Sequence, residues 1–187
     1  MLPQLEDVIY YAGAKMPLAD NTYDTVLCIE VLEHAQDPQL LLTEIMQVMN
    51  QDATLILTVP WSARRHHIPH DYQRFTREGL AVLLASTGFE TVEIVERGND
   101  IAVIANKLTV LCLRLMLPKK WRHCMVTWPL ALFCGILAAL FIASAHVCIV
   151  CGWGSKEDPL GYFVLARKSI LPGLTPAVTP SGIVHAN

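Results

Sequence analysis

The sequence predicts an α/β fold, in which helices cover a mostly parallel sheet. Within residues 23–34, the nearly continuous apolar block 26–29 follows Thr25 and is typical of a strand buried on both faces. Strand and helix patterns then alternate along the chain, which favours α/β over a bundle or a sandwich. A late stretch, residues 128–153, contains no Asp, Glu, Lys or Arg. These observations predict one α/β unit with an added hydrophobic helical segment.

Each predicted element has a local signal in the sequence. Asp37 and Pro38 form an N-cap and first-turn pair for a helix over residues 39–49. Thr76 is a comparable cap for a helix over residues 77–86. The predicted strands are short runs rich in β-branched, aliphatic and aromatic residues: 8–11, 26–29, 54–59, 91–95 and 161–167.

Composition and charge exclude several classes of protein. The net charge of −3 gives no reason to expect a nucleic-acid partner, which usually requires a basic surface. No secretory signal pattern opens the sequence, so we expect a cytoplasmic protein with reduced thiols. Cys148 and Cys151 form a C-x-x-C inside an apolar run, without the second pair that a zinc site would need.

One block of the sequence carries a family resemblance. Y-D-T-V-L-C-I-E-V-L-E-H (23–34) follows the proline loop M-P-L-A-D-N-T-Y-D (16–24) and precedes D-P-Q-L-L-L-T-E-I (37–45). It resembles the middle of a class I S-adenosylmethionine-dependent methyltransferase of the type 11 group, over residues 8–100 and 159–168. The resemblance implies a partial Rossmann-like methyltransferase sheet, mostly parallel with an antiparallel last strand, and S-adenosyl-L-methionine as cofactor. It also implies methyl transfer to an oxygen or nitrogen of a small or lipid-linked acceptor, in cell-envelope or saccharide biosynthesis.

The resemblance also places the candidate cofactor contacts. In the family, the loop matching A-G-A-K-M-P-L (12–18) carries an Asp that contacts the adenine amino group, and here Gly13 stands at that position. The backbone of Ala14 could still contact the adenine, and Glu30 is expected to face the methionine end of the cofactor. The implied cofactor-binding set is Gly13, Ala14, Lys15, Met16, Cys28, Ile29 and Glu30.

Part of the family pattern is missing from these 187 residues. Family members begin with a strand, a glycine-rich turn and a helix, followed after the next strand by an acid that holds the ribose. No such turn follows a strand here, so a truncated product or a mis-called start is expected. The chain alone should then bind the cofactor weakly, and the first strand, 8–11, should lose its neighbour and leave an exposed apolar edge. The missing glycine fingerprint also disfavours another Rossmann-like enzyme, such as a dehydrogenase.

The loop after the strand at 54–59 is the candidate catalytic segment. Its pattern H-x-x-P-x-D-Y-x-R-F-T (66–76) looks like the acceptor-side loop of methyltransferases found with sugar and cell-envelope biosynthesis. His66 could act as a general base on a hydroxyl acceptor, because imidazole is the side chain that changes charge near neutral pH. Asp71 and Arg74 could orient His66 or hold a substrate carboxylate or phosphate; alternatively, they pair only to fix the loop.

The motif E-V-L-E-H (30–34) raises the question of a metal site. A related pattern holds a divalent ion in some quinone O-methyltransferases, and oxygen and imidazole donors would suit such a cation. Glu33 and His34 are, however, typical of the family whether or not a metal binds. No metal is therefore predicted.

The hydrophobic insert divides the chain into a truncated core (1–100), an insert (101–153), a last strand (154–169) and a disordered tail (170–187). The charge-free run at 128–153 is long enough to cross a bilayer of roughly 30 Å. The basic and aromatic cluster P-K-K-W-R-H (118–123) before it suits an anionic membrane surface.

Topology constrains how this insert can meet a membrane. A single crossing would separate the last strand from the rest of its sheet, so the insert must return as a hairpin, lie in the interface or pack as a buried helix. Lys107 and Arg114, seven residues apart, share one helical face and make the first part of the insert amphipathic. We expect peripheral contact with the cytoplasmic membrane surface. The alternatives are a soluble dimerisation or lid helix, and a non-catalytic remnant that serves only as a membrane-associated or interaction module.

Overall fold

A four-stranded mixed sheet forms the centre of the molecule. The computed structural model describes residues 8–9, 11, 15–118 and 120–168. The strands lie in the order β1-β2-β4-β3, with β1 parallel to β2 and with β4 antiparallel between β2 and β3. Their bounds are β1 (Tyr23–Ile29), β2 (Met49–Pro60), β3 (Phe89–Arg97) and β4 (Gly161–Lys168). The predicted α/β class, with an antiparallel last strand, is confirmed.

Two helices cover this sheet and begin where the capping residues predict. The side chain of Asp37 accepts a hydrogen bond from the backbone N–H of Leu40 at 2.9 Å, and that of Thr76 accepts from Gly79 at 3.0 Å. These caps start α1 (Pro38–Val48) and α2 (Arg77–Ser86). The helices bury their leucines against β2 and β4; fully buried side chains include Leu42, Leu80, Leu84, Leu55, Leu57, Val59 and Val164.

The edge of the sheet at β1 differs from the prediction. Leu27 is 65% exposed and Ile29 45% exposed, whereas Cys28, on the opposite face, is buried. Residues 8, 9 and 11 are not in a strand, and Tyr10 lies outside the described residues. The prediction that β1 is buried on both faces is therefore wrong for this chain. The physical reason is that, among the residues that the structure describes, β1 is the edge strand and helices cover only one of its faces.

The insert folds as an antiparallel pair of helices, which we call the hairpin: α3 (Asp100–Met116) and α4 (Cys124–Cys151). Small residues line its seam: the Sγ of Cys112 lies 3.2 Å from the carbonyl oxygen of Ala131, and a Cβ on Gly135 would lie 3.2 Å from that Sγ. At its base, the side chain of Asn99 donates to the carbonyl of Trp153 at 3.0 Å. The two ends of the hairpin therefore lie next to each other, at Asn99 and Trp153. The predicted hydrophobic helical insert before the last strand is confirmed.

The outer surface of the hairpin is apolar. The helical stretch Trp121–Cys151 is long and apolar enough to cross a membrane, and most of its apolar part is exposed. Its exposed side chains include Trp128, Leu132, Phe133, Ile136, Leu140 and Val150. The predicted disordered tail at 170–187 lies outside the described residues.

Candidate active site

The candidate site lies where the segments after β1 and β2 meet. β1 and β2 are parallel neighbours, so both end at the same edge of the sheet, the edge where α/β proteins bind ligands. The loop after β2 docks onto the segment after β1: the backbone N–H of Tyr72 donates to the carbonyl of Glu33 at 3.0 Å. The Nδ1 of His34 contacts the carbonyl oxygen of His70. These contacts bring residues 36 to 39 positions apart in sequence into one cluster.

A buried carboxylate lies at the centre of this cluster. The side chain of Glu33 is 0% exposed, and its Oε1 lies 3.5 Å from the Nε2 of His34 and 3.6 Å from the Nε2 of His66. Within the part of the chain that the structure describes, neither oxygen has a hydrogen-bond partner. Burial, with a smaller effect of Glu30, raises the pKa of the Glu33 carboxyl above its ordinary value. Sequence reasoning left Glu33 out of the candidate site residues, although E-V-L-E-H drew attention to it.

Asp71 and Arg74 form a closed clamp in the same loop. The guanidinium of Arg74 donates to both carboxylate oxygens of Asp71, at 2.6 and 2.9 Å. Asp71 also accepts a hydrogen bond of 2.9 Å from the backbone N–H of His66. The hydrogen bonds from Arg74 hold the pKa of the Asp71 carboxyl well below its usual range. Both side chains are thus engaged in fixing the loop that carries His66.

The imidazole of His66 lies between two carboxylates. Its Nδ1 is 3.2 Å from the carbonyl oxygen of Arg64 and 3.6 Å from Asp71, while its Nε2 faces Glu33. An N–H at Nδ1 would donate to the Arg64 carbonyl and leave the lone pair of Nε2 free to take a proton. The side chain is 37% exposed, so solvent or a substrate can reach it. The cluster can therefore act as a base whose positive charge, once formed, is balanced by Glu33 and Asp71.

The same cluster offers donors for a cation. One ligand atom each from Glu33, His34 and His66 lies within 4.8 Å of the other two. A carboxylate oxygen and two imidazole nitrogens are a donor set that could also hold a divalent ion. The sequence-based prediction of no metal stays a prediction.

The predicted cofactor residues are spread over the edge of the sheet. Cys28 is buried, and burial, with a smaller effect of Glu33, raises the pKa of its thiol to about 12. Glu30, at the end of β1, forms an ion pair of 2.9 Å with Arg97. Met16 packs on the core and its backbone N–H donates to Glu44 at 2.6 Å. Lys15 and Ile29 are exposed, and Gly13 and Ala14 lie outside the described residues.

Two cavities flank the histidine cluster. One, of about 550 Å³, is lined on the α1 side by Val31, His34, Leu40 and Tyr72, among others. The other, of about 450 Å³, is lined by His66 and by residues of α3. His34 and His66 are in edge-to-face contact, with ring centroids 4.8 Å apart. The cluster thus separates two spaces, each large enough for part of a small molecule.

Comparison with known proteins found one matching family model and several similar solved structures. Residues 4–57 match the family model described as a methyltransferase domain. A protein from Galdieria sulphuraria that is described as a sarcosine dimethylglycine methyltransferase has a similar structure, with a TM-score of 0.50. The two are 14% identical, and the match covers 86% of this chain and 58% of the Galdieria chain. An S-adenosylmethionine-dependent methyltransferase from Aquifex aeolicus matches with a TM-score of 0.41 and 22% identity over 48% of each chain. No curated protein sequence matches this chain.

These matches cover only part of the length of the related structures. The chain spans about half the length of the solved structures it matches. The identities are low, so the structural likeness shows the fold alone, while the family model independently identifies residues 4–57. The resemblance drawn from Y-D-T-V-L-C-I-E-V-L-E-H is confirmed.

Proposed function

We propose that this chain, which carries part of a class I S-adenosylmethionine-dependent methyltransferase domain, belongs to an enzyme that methylates an oxygen or nitrogen of a small or lipid-linked acceptor. The observation that carries the proposal is the position of His66. A loop fixed by the Asp71–Arg74 clamp holds this imidazole at the edge where the parallel strands β1 and β2 end. That edge is where α/β enzymes bring their substrates together.

The family resemblance places the methyl donor near the end of β1. The cavity of about 550 Å³ adjoins the segment that follows β1, from Val31 on, although none of the predicted cofactor residues that the structure describes lines it. S-adenosylmethionine, when bound, supplies an electrophilic methyl group. The work left to this chain is to position the acceptor in line with that group and to keep water away from it.

His66 supplies the proton chemistry of the proposal. As the acceptor oxygen or nitrogen forms its new bond to carbon, it must lose a proton, and the Nε2 of His66 is the candidate base. The imidazolium that forms lies 3.6 Å from the carboxylates of Glu33 and Asp71, which stabilise its charge. Asp71 and Arg74 are positioning residues in this account, because their side chains bind each other and the loop backbone.

The hairpin supports a cytoplasmic enzyme attached to one face of a membrane. α3 lines the cavity beside His66, and α4 exposes apolar side chains on its outer surface. Because both ends of the hairpin join the same sheet, the chain can enter an apolar phase and return without separating β4 from β3. Burial of this surface in lipid would remove apolar area from water, which is favourable by about 25 cal/mol per Å².

The experiment that tests the proposed reaction compares two neighbouring histidines. In a version of the protein extended by the glycine-rich turn that the family resemblance implies, His66→Ala should lower turnover about a hundredfold, the usual loss when a general base is removed, with cofactor affinity unchanged. His67→Ala is the matched control, because His67 is exposed and makes no contact with Glu33 among the described ion pairs. Release of S-adenosylhomocysteine with hydroxyl and amine acceptors gives turnover, and calorimetry gives affinity. Unchanged turnover in His66→Ala, or loss of cofactor binding only, would contradict the role of His66. Membrane binding by a protein that never consumes S-adenosylmethionine would instead favour the non-catalytic alternative.

A further inference from the structure

A basic cleft adjoins His66 on the side of the hairpin. The cavity of about 450 Å³ lies between the loop after β2 and α3. Ser62, Arg64 and His66 line it from the loop. Asn106, Lys107 and Arg114 line it from α3. We call this space the α3 cleft.

The charge of the α3 cleft is of one sign. Arg64, Lys107 and Arg114 bring three permanent positive charges to its walls, and no Asp or Glu lines it. Over the described ranges of the chain, none of the three forms an ion pair. Like charges that converge on one cavity repel each other unless an anion lies among them. Guanidinium and ammonium groups with hydroxyl and amide neighbours are the donors that proteins use to bind phosphate.

The cleft also has an apolar wall. Val110 and Leu111 line it between Lys107 and Arg114, so polar and apolar side chains alternate along the same stretch of α3. α3 packs along α4, whose outer surface is apolar. A ligand that fits this arrangement carries an anionic group next to an apolar chain.

We infer that the α3 cleft binds the phosphate group of a membrane-anchored acceptor and holds that acceptor beside His66. The inference rests on the proposed methyltransferase function and names the class of its acceptor: an amphiphile with a phosphate headgroup. The apolar chain lies along the hairpin, and the phosphate binds Arg64, Lys107 and Arg114. The group to be methylated then faces His66, which lines the same cleft.

Binding of dodecyl phosphate and of inorganic phosphate to the full chain, in uncharged maltoside micelles, tests the inference. Lys107→Gln with Arg114→Gln should weaken dodecyl phosphate binding about tenfold or more, because the cleft loses two of its three permanent positive charges. Lys120→Gln with Arg122→Gln is the matched control, because these residues are equally basic and exposed but lie at the tip of the hairpin, outside the cleft. The control pair should bind within about twofold of the unmodified chain. Asn106→Asp, a single change at an exposed position, should also weaken binding if the double variant fails to fold.

Each outcome decides one part of the inference. Inorganic phosphate that binds as tightly as dodecyl phosphate would overturn the lipid source and indicate a soluble phosphate ester. Equal losses in the cleft and tip variants, or no loss in either, would overturn the cleft itself. The titration contains no S-adenosylmethionine, so its result is independent of methyl transfer. A chain that binds dodecyl phosphate in the cleft but never consumes the methyl donor contradicts the proposed function alone.

Discussion

Strand β2 and helix α4 are both strongly apolar, yet β2 is buried and α4 is largely exposed. Leu55, Leu57 and Val59 of β2 are completely buried by neighbouring strands and by α1 and α2. In α4, apolar side chains lie all around the helix, and only the seam with α3 is covered. Apolar composition alone therefore does not define a core. A strand in the centre of a sheet finds its apolar surroundings within the chain, whereas this helix requires them from a lipid phase or another apolar surface.

The largest expected difference between the two regions is in cavity formation. Leu57→Ala, in β2, should lower the free energy of unfolding by about 3 kcal/mol, because it removes a fully buried side chain and leaves a cavity. Leu132→Ala is the matched control in α4, where the leucine is 68% exposed, and it should change stability by less than about 0.5 kcal/mol. Denaturant unfolding of both variants in the same uncharged detergent gives the two values. Equal losses would mean that α4 packs into a core that its exposure does not show.

A smaller difference in the free energy of unfolding should separate the loss of a buried charge from the loss of an exposed one. Asp71→Asn should lower the free energy of unfolding by about 2 kcal/mol at pH 7, since hydrogen bonds to charged groups carry that much. The folded-state pKa of Asp71 is depressed, so its contribution is complete above the unfolded value near 4. That contribution is lost as pH falls toward the folded value. Urea titrations between pH 7 and pH 2 should therefore show the two proteins converging in acid, and a gap that stays constant would contradict the clamp. Glu157→Gln, at an exposed position, is the control.

The smallest effect concerns the buried carboxylate of Glu33. Burial raises the pKa of Glu33 in the folded state above its value in the unfolded state, which is near 4.3. The protonated carboxyl therefore favours the folded state below about pH 4.3, and this contribution is lost as the pH rises through the folded-state pKa. Glu33→Gln removes this loss and should raise the free energy of unfolding by roughly 1 kcal/mol at pH 8, with no difference at pH 4. Glu93→Gln, at an exposed position, is the control. A destabilised Glu33→Gln at pH 8 would indicate that a cation or a donor satisfies this carboxylate in solution.

The sequence predicted best what depends on short-range signals. The caps at Asp37 and Thr76 and the runs that form β2 and β4 could be read locally, because each carries its own pattern. The predicted strand at 8–11 is not seen at residues 8, 9 and 11, and no strand of the described sheet pairs with them. A strand's backbone groups need a partner, so no local pattern can guarantee it.

The candidate site was only partly predictable for a similar reason. His66, Asp71 and Arg74 share one loop motif and could be identified together. The isolation of the Glu33 carboxylate arises when that loop docks onto the segment after β1, an event between distant parts of the chain. The α3 cleft likewise joins residues more than 40 positions apart, although the shared face of Lys107 and Arg114 was visible in the sequence.

The central claim is that the hairpin enters lipid while the sheet and its covering helices α1 and α2 stay in water. The four tryptophans of the chain test this claim directly. Trp128 lies exposed on α4, and Trp61 follows β2 beside Tyr162. Two single-tryptophan variants, with the other tryptophans changed to Phe, would be bound to anionic vesicles that contain brominated lipid. The account predicts strong quenching of Trp128 fluorescence and little quenching of Trp61. Equal quenching of the two, or no quenching of Trp128 in the vesicle-bound protein, would contradict it.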